Sequence, residues 1–597
     1  MTLCRTRDRS MPNTRVMLWV ALAAILFLNY EAWMRDYPAS TFAGTTQSTM
    51  GGSGSSNKLG DSVPQANAPG TSVGTPTAGT GVAAAPAASA PPLGGTAPTL
   101  AASIDAAAVD TGAARPTEPP LHVVTDVLDV AVNLKGGELD RADILQYPLH
   151  KDTPNVPVRL LNHDSEDSLY LLQTGLTGGA GEATPTHLAT WTSAEKSYVL
   201  PAGAEELSVP LTWTDGQGLT VVKTFTFKRG SYAVDLTYDV RNDGTTARSL
   251  ASYSQFLRHW VHASRSYFDV ETYSFKGPAV YDGTKSRDLK VENEADAKFT
   301  ETATNGWIAS LQHHFVSAIV PEAGQPVTFQ LQVQGQQYLL SATGPMIPVP
   351  AGTKAQFHEK LFIGPKLQAQ LAATGPRLDL TADYGLLTVI AHPLFVSLKW
   401  VHGLIGNWGW AIIIVTALIK LLFYPLSQAS GRSMAKMRAV APRMKQIQES
   451  YKDDREKLGR AMMELYKKEK INPLAGCLPM VVQIPFFISF YWVLLESVEM
   501  RQAPFMLWIN DLSSRDPFFV LPLLMGSAMF AQFKLNPAPP DPMQAKIMQF
   551  MPLVMTGMMA WFPSGLVLYW LTNTVLSIVQ QWRVNKVVSA EASKQRS

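Results

Sequence analysis

The chain has little charge and little cysteine, and it lacks the short motifs of common catalytic sites. Charged residues make up 16% of its 597 residues, against roughly 25% in typical soluble domains. Two cysteines, Cys4 and Cys477, are too few for a secreted disulfide framework, so we interpret both as reduced thiols. There is no phosphate-binding glycine loop or HExxH helix, and the neighbouring His313 and His314 form no metal-binding pattern. We therefore predict neither an enzyme nor a cofactor-binding protein.

Length and hydropathy predict a protein of several parts. At 597 residues the chain is too long for one compact domain. Its mean hydropathy of +0.01 is too low for a pure membrane bundle and indicates long apolar segments combined with a large soluble part. The formal net charge of +2 says little, because the charges are segregated along the chain.

The N-terminal residues have the pattern of a membrane anchor. Basic residues precede an apolar stretch over 16–28, and they are Arg5, Arg7, Arg9 and Arg15. Because residues 29–33 lack a small-x-small cleavage site, we predict over 1–35 a cytoplasmic tail and an uncleaved signal-anchor helix. A cleaved signal peptide is the alternative. Residues 36–119 are rich in Gly, Ser, Thr, Ala and Pro and are predicted to be a disordered linker, because they bury too little apolar surface to offset their ordering entropy.

Residues 120–372 have the two-residue period of β-strands. Large apolar residues alternate with polar ones most clearly over 128–134, 232–240 and 327–333. Gly136-Gly137 gives a turn signal after the first of these segments. Many alternating strands separated by turn residues predict a sandwich of antiparallel sheets. Because a single anchor precedes it, we expect this domain on the outer side of the membrane.

Beyond residue 379 the period becomes helical. Apolar residues at helical spacing are followed by tryptophans, and the set is Leu386, Leu387, Ile390, Leu394, Leu398, Trp400, Trp408 and Trp410. For 379–407 we predict an amphipathic helix that lies along the membrane interface, with an aromatic belt. The alternative is an ordinary amphipathic helix docked on the β-domain.

The segment 408–583 contains the remaining candidate membrane spans. They lie at about 408–426, 478–495, 518–534, 547–562 and 566–582. Pro563-Ser564-Gly565 separates the last two as a tight turn.

The distribution of basic residues orients these spans. Lysine and arginine are dense in 428–472 and recur in the tail 584–597, whereas the loop 496–517 has only Arg501 and Arg515. The positive-inside rule then places both termini and 428–472 in the cytoplasm.

Lys420 stands alone in the apolar run 411–423. A charge inside a span costs about 2.5 to 3.5 kcal/mol on insertion scales and is a functional hypothesis by default. The alternative is that the side chain snorkels to the inner surface, about 10 Å away along the helix.

The segment 428–472 combines dense basic charge with stripes of methionine and other apolar residues. With a break at Lys452-Asp453-Asp454, this pattern predicts a cytoplasmic helical hairpin. Its candidate contact residues are Met434, Lys436, Met437 and Arg438. Adaptable methionines and basic charge suit a surface for emerging chains, the ribosome or anionic lipid. A solvated positive-inside loop is the alternative, and it accounts for the charge but not for the methionines.

The C-terminal third resembles the YidC/Oxa family of membrane protein insertases. The resemblance runs in unbroken order over 379–582 through KLLFYPL at 420–426, SMAKMR at 433–438, NPLAGCLP at 472–479, QIP at 483–485, RQAPF at 501–505, DPMQ at 541–544 and WFPSGLVLYW at 561–570. It implies a C-terminal five-helix transmembrane bundle with a cytoplasmic helical hairpin. The long outer domain after one anchor resembles the periplasmic antiparallel β-super-sandwich of Gram-negative members.

The resemblance also implies a hydrophilic groove that is open to cytoplasm and lipid and closed on the outer side. A basic groove residue falls at Lys420, and groove or substrate-contact positions fall at Thr416, Ile484, Phe487 and Trp570. Family members often have arginine at the charged position, and lysine keeps the charge without the bidentate fork. Tyrosine is common where this chain has Trp570, which keeps the aromatic surface and changes the polar tip.

From the resemblance we predict an inner-membrane insertase and chaperone that inserts and folds membrane proteins, alone or with the Sec translocon. The implied partners are nascent membrane proteins, the translocon components SecYEG and SecDF, the ribosome and membrane lipids, with no specific nucleic-acid sequence. A transporter or channel is the main alternative, although the hydropathy pattern shows no inverted repeats. An envelope enzyme whose β-domain acts on sugars is a further alternative, for which the sequence shows no convergent acid/base set.

Overall fold

A computed structural model describes residues 58–66, 119–179, 181–261, 274–382, 384, 387–451, 454–469, 478–535 and 542–594. The predicted anchor over 1–35, most of the predicted linker, and both cysteines lie outside these residues.

The N-terminal domain of the described chain is built from β-strands. They are β1 (Leu121–Val124), β2 (Leu128–Asn133), β3 (Glu138–Pro148), β4 (Pro157–Leu161), β5 (Tyr170–Gly178), β6 (Ser197–Val199), β7 (Glu206–Thr214), β8 (Leu219–Lys228), β9 (Ala233–Asn242), β10 (Arg248–His259), β11 (Gly277–Tyr281), β12 (Ser286–Asp288), β13 (Thr300–Thr304), β14 (Trp307–Leu311), β15 (Phe315–Pro321), β16 (Pro326–Gln334), β17 (Gln337–Thr343), β18 (Ile347–Val349) and β19 (Thr353–Pro365). The alternating segments 128–134, 232–240 and 327–333 correspond to β2, β9 and β16.

The strands form two sheets that pack face to face. The larger has the order β13-β16-β17-β10-β5-β3-β2-β1-β6, with β18 paired to β10 and β4 paired to β3. The smaller has the order β12-β11-β14-β15-β19-β9-β8-β7. The pairings are antiparallel except that of β1 with β6. The predicted β-sandwich is therefore confirmed.

Alternation explains why this domain has one large core. On β8 the alternate residues Leu219, Val221, Phe225 and Phe227 are buried between the sheets, and their neighbours point outward. Burying such side chains removes apolar surface from water at about 25 cal/mol per Å². Lys223 occupies the remaining inward position of the same row.

The C-terminal region is helical. After two short helices, α1 (Glu294–Ala297) and α2 (Gln368–Thr374), come α3 (Thr388–Ile405), α4 (Trp408–Leu422), α5 (Tyr424–Ser450), α6 (Arg455–Lys468), α7 (Leu478–Glu496), α8 (Val520–Leu535), α9 (Pro542–Met559) and α10 (Ser564–Lys594). A second apolar core joins α3, α4, α7, α8, α9 and α10.

The predicted span 408–426 is divided in the structure. Helix α4 ends at Leu422, and α5 begins at Tyr424 after a bend of 63°. The physical cause is Pro425, which has no amide hydrogen to donate to the carbonyl of Leu421 and whose ring would clash with that carbonyl in a continuous helix. The apolar run therefore ends in a bend before the charged helix α5.

In the part of the chain that is described, few helices are both long enough and apolar enough to cross a membrane. Helix α3 meets both criteria by itself, and α4 together with the start of α5 meets them as a bent pair. The apolar parts of α7 and α8 are shorter. Helix α3 falls within 379–407, where we predicted an interfacial helix, and its length allows it to cross as well.

One part of the predicted linker differs from the expectation. Residues 58–66 are ordered against the β-domain and include the 3-10 turn Leu59–Asp61, in which Leu59 is buried. The composition of 36–119 gave no sign of this contact, because it depends on a sheet surface that is distant in sequence.

Candidate functional site

Lys420 lies in the last turn of α4 and is half-buried. Its Nζ donates to Ser577 Oγ on α10 at 2.7 Å. The Ser577 hydroxyl in turn donates to the Asn573 carbonyl oxygen at 2.7 Å. The serine hydroxyl therefore accepts a hydrogen bond from the ammonium group and donates one to a carbonyl oxygen of its own helix.

A third helix joins this polar contact. Gln483 on α7 donates from Nε2 to Asn573 Oδ1 at 3.3 Å, and Asn573 and Ser577 are one turn apart on α10. We call Lys420, Gln483, Asn573 and Ser577 the polar seam. In apolar helices such groups are costly unless paired, and they tend to meet across helices.

The aromatic candidates lie next to the polar seam. Phe487 on α7 and Trp570 on α10 form a T-shaped pair with ring centroids 4.6 Å apart. Each is about one turn from a seam residue, Gln483 or Asn573, on the same helix. Ile484, one residue beyond Gln483, is 50% exposed. The structure thus brings Lys420, Phe487, Trp570 and Ile484 onto three adjoining helices.

Thr416 has a different environment from the other predicted groove residues. It is only 2% exposed, and its hydroxyl donates to the Ile412 carbonyl of its own helix at 2.6 Å. Its side chain therefore packs inside the helical core, one turn before Lys420.

Exposed apolar side chains surround the seam on α4. Leu418, Leu421 and Leu422 are exposed although they belong to an apolar helix. Contiguous exposed apolar surface is typical of a site for lipid or another protein. The site therefore combines a single ammonium group with an apolar surface that lacks a protein neighbour among the described residues.

The helices α5 and α6 pack on each other through Val440, Met444 and Leu465. Met437 is partly buried against this cluster, and Arg443 Nη1 lies 2.7 Å from Glu469 Oε1. The side chains of the other candidate hairpin residues, Met434, Lys436 and Arg438, lie outside the described residues.

The loop that follows α7 contacts the β-domain. The Arg501 guanidinium donates to the carbonyl oxygens of Pro148 and Leu149, at 2.9 Å each. It also lies over the Phe315 ring, 5.6 Å from its centroid. Gln502 Nε2 donates to the Pro148 carbonyl at 3.2 Å. These contacts attach the loop directly to the end of β3.

Two further contacts of this junction lie at the end of α7. Glu496 is buried with Lys366, the two charged groups being 4.0 Å apart. His313 Nε2 lies 3.0 Å from the Leu495 carbonyl oxygen. Burial, reinforced by the charge of Lys366, lowers the pKa of His313 to about 4, so the ring is neutral at pH 7. Since a carbonyl only accepts, Nε2 carries the proton.

Sequence reasoning identified Lys420 but missed Ser577 and Asn573. A signal existed, because these two polar residues are four apart in the apolar run 566–582 and so share a helix face. In the described residues, no group of three or more His, Cys, Asp or Glu side chains is arranged to hold a metal ion.

Two family matches together cover most of the chain. Residues 400–591 match the family described as 60Kd inner membrane protein, and residues 120–397 match the YidC periplasmic domain.

Individual relatives match over nearly the whole length. The chain is 42% identical over 596 residues to the membrane protein insertase YidC of Thioalkalivibrio sulfidiphilus, with 98% of this chain and 100% of that protein covered. It is 42% identical over 586 residues to the membrane protein insertase YidC of Nitrosococcus oceani, with 97% and 100% covered. A solved structure of an active YidC insertase with its first transmembrane domain resolved covers 78% of this chain and 94% of its own, with 18% identity and a TM-score of 0.35.

Proposed function

The chain belongs to the YidC family of inner-membrane protein insertases, and we propose that it performs insertion at the polar seam around Lys420. Nascent membrane proteins are its substrates. The observation that carries the proposal is the Lys420 ammonium group, hydrogen-bonded to Ser577 and flanked by the exposed leucines of α4. Because a charge inside an apolar helix costs several kcal/mol, its presence indicates a function.

The first step is electrostatic. An acidic or polar segment of a substrate, which must cross to the outer side, is attracted by Lys420 and solvated by Gln483, Asn573 and Ser577. Charge attraction is stronger here than in water, because the surrounding apolar side chains lower the local dielectric. The seam therefore reduces the cost of bringing a polar segment part-way into the bilayer.

The second step is hydrophobic. The apolar helix of the substrate passes along Ile484, Phe487 and Trp570 and then moves sideways into lipid. Burial of its apolar surface at about 25 cal/mol per Å² supplies the driving force. The step therefore needs no nucleotide.

The proposed topology places both termini and the α5–α6 pair in the cytoplasm, with the β-domain in the periplasm. Helices α4, α7, α8, α9 and α10 then form the transmembrane bundle, and the predicted anchor precedes the β-domain. Basic residues of α5 and α6 suit contact with the ribosome or with anionic lipid. Cooperation with SecYEG and SecDF is proposed from family resemblance alone.

Substitution of Lys420 tests the electrostatic step. The variants Lys420→Ala and Lys420→Glu, reconstituted in vesicles, are expected to reduce insertion of a small membrane protein with an acidic translocated segment by about tenfold or more, equal to about 1.4 kcal/mol. The same substrate with a neutral segment should be affected less. Lys534→Ala, at the end of α8, is the matched control. Normal insertion of both substrates by both Lys420 variants would contradict the electrostatic step.

Crosslinking tests the hydrophobic step. A photoreactive residue at Ile484, Phe487 or Trp570 should crosslink to a stalled nascent chain. The same residue at Thr416 should crosslink weakly, because that position is buried. Equal yields at Thr416 and Ile484 would mean that the substrate follows another path.

A further inference from the structure

The face of the larger sheet that points away from the main core carries a row of apolar side chains, although such a face is usually in contact with water. Leu171, Leu257 and Leu339 are direct cross-strand neighbours on β5, β10 and β17. The residues beside them in sequence face the core between the sheets, and they are Leu172, Phe256 and Leu340. Since successive side chains point to opposite faces, the leucine row points away from that core. All three leucines are nonetheless buried, so another part of the chain covers them.

The covering segment is 58–66. Leu59 packs with Leu171, Leu257 and Leu339 in a separate apolar cluster. A Cβ atom at Gly60 would lie 2.8 Å from Leu257 Cδ2, so glycine permits the close approach. The cluster is small and separate from the main core between the sheets.

Polar side chains beside the leucine row bind the backbone of this segment. The Gly60 carbonyl accepts from His187 Nε2 at 3.0 Å and from Gln173 Nε2 at 3.3 Å. The Ser62 carbonyl accepts from Gln255 Nε2 at 3.2 Å. Gln173 and Gln255 are themselves cross-strand neighbours, and Gln255 Nε2 also donates to Gln173 Oε1 at 2.8 Å. Three side chains thus present donors to carbonyl oxygens of a bound peptide.

The histidine of this set is held in one orientation. Tyr253 OH lies 2.6 Å from His187 Nδ1 and accepts from the His187 backbone N–H at 3.0 Å. Because the Gly60 carbonyl only accepts, Nε2 carries the proton and Nδ1 accepts from the tyrosine hydroxyl. The donor is therefore positioned by the domain itself and not by the segment that it binds.

We propose that this face of the β-domain is a peptide-binding site whose resident ligand is the chain's own segment 58–66. The site recognises a leucine side chain, a following glycine and two backbone carbonyl groups. When 58–66 is bound at this site, only 36–57 remain as a free connection between the predicted anchor and the β-domain, which limits the distance between them. At about 3.6 Å per residue, 36–57 can extend at most about 80 Å, whereas 36–119 could extend about 300 Å.

Peptide competition on the full-length chain tests the site. The probe is a fluorescein-labelled peptide of residues 58–66. The Leu59→Asp chain, whose own segment is displaced, is expected to bind the probe at least about tenfold more tightly than the unaltered chain, because a tethered ligand competes at millimolar effective concentration. Adding Gln255→Ala to Leu59→Asp should weaken binding again. Equal binding by the unaltered and Leu59→Asp chains, or no binding by either, would overturn the proposal.

Disulfide formation gives a measurement that does not depend on the probe. In a full chain with Cys4 and Cys477 replaced by serine, the pair Leu59→Cys and Leu257→Cys should form a disulfide under oxidising conditions. The pair Leu59→Cys and Ser208→Cys is the control, since Ser208 is exposed on β7 of the other sheet. Similar yields for the two pairs would show that 58–66 does not reside at the leucine row.

Discussion

Lys223 of the β-domain and Lys420 of the helical region both belong to apolar rows, but their surroundings are opposite. Lys223 is completely buried between the two sheets. Its Nζ donates to the carbonyl oxygens of Gly137 at 2.6 Å and Thr174 at 3.2 Å. Lys420 is half-buried, and its Nζ donates to one side-chain hydroxyl beside exposed leucines. One lysine is enclosed by its own fold, and the other remains accessible to a ligand.

The enclosed lysine is stabilised by several weak contacts. The rings of Trp191, Phe225 and Tyr238 lie 5.1–5.7 Å from its Nζ, within the range of cation–π attraction. Burial lowers the pKa of Lys223 to about 7, and the nearby charge of Glu359 opposes this shift. Burial likewise raises the pKa of Glu359 to about 7. A lysine with its partners inside one domain has a structural role, whereas the role we propose for Lys420 is contact with a substrate.

The largest effect is expected when the enclosed lysine is removed. Lys223→Ala removes the ammonium donor from two buried carbonyl oxygens and the compensating charge near the buried Glu359, and breaking such a buried set costs about 3–5 kcal/mol. Urea unfolding of the full chain, followed by hydrogen exchange in β8 and β9, measures the loss. Lys228→Ala on the same strand is the control, because its ion pair with Asp235 is exposed and worth less than about 1 kcal/mol. Similar losses of stability for Lys223→Ala and Lys228→Ala would show that the buried lysine contributes no more to the fold than an exposed one.

A pH effect is expected at the junction between the two regions. The folded pKa of His313, about 4, lies below its ordinary value of 6.5 because of burial and the charge of Lys366. The unfolded state therefore binds more protons between these values, so stability is complete above about pH 6.5 and is lost as the pH falls towards 4. At 1.36 kcal/mol per pKa unit the loss approaches about 3 kcal/mol. Burial also lowers the pKa of His314, with the same sign.

Hydrogen exchange of residues 495–503 between pH 7 and pH 4.5 measures this loss of protection. In His313→Gln the pH dependence should become shallower, whereas His150→Gln, at an exposed position of the same domain, should leave it unchanged. An unaltered profile in His313→Gln would assign the pH response to another group.

A small stability effect is expected at the accessible lysine. Lys420→Met keeps the length and the apolar part of the side chain and removes one hydrogen bond, which contributes about 0.5–1.5 kcal/mol. Ser577 still donates to the Asn573 carbonyl after the change. The midpoint temperature of thermal unfolding in detergent should therefore fall far less for Lys420→Met than for Lys223→Met. A comparable shift would indicate that Lys420 is a structural residue like Lys223.

The two lysines also show what the sequence could predict. The isolated charge at Lys420 is visible in its apolar run, whereas the burial of Lys223 was not predicted and follows from the alternation on β8 in the structure. Periodicity likewise predicted the sandwich and the change to helices. The partner Ser577 is 157 positions from Lys420, and local periodicity does not report which helices meet. The docking of Leu59 was hidden for the same reason, since its partners lie on three strands that the fold brings together.

The smallest effect is expected at the serine that positions the accessible lysine. Ser577→Ala removes the acceptor of the Lys420 ammonium group and leaves its charge, so an acidic substrate segment is still attracted but the ammonium group is less well oriented. Insertion of that substrate should fall about threefold, as the loss of one hydrogen bond of about 0.6 kcal/mol implies. Ser527→Ala on α8 is a close control, because that hydroxyl also donates to the carbonyl four residues earlier but accepts from no lysine among the described contacts. Because alanine is a good helix former, neither change should alter the helices. A loss of insertion in Ser577→Ala as large as in Lys420→Ala would mean that the orientation of the ammonium group matters more than its charge. Equal insertion by Ser577→Ala and Ser527→Ala would show that Ser577 does not contribute to insertion.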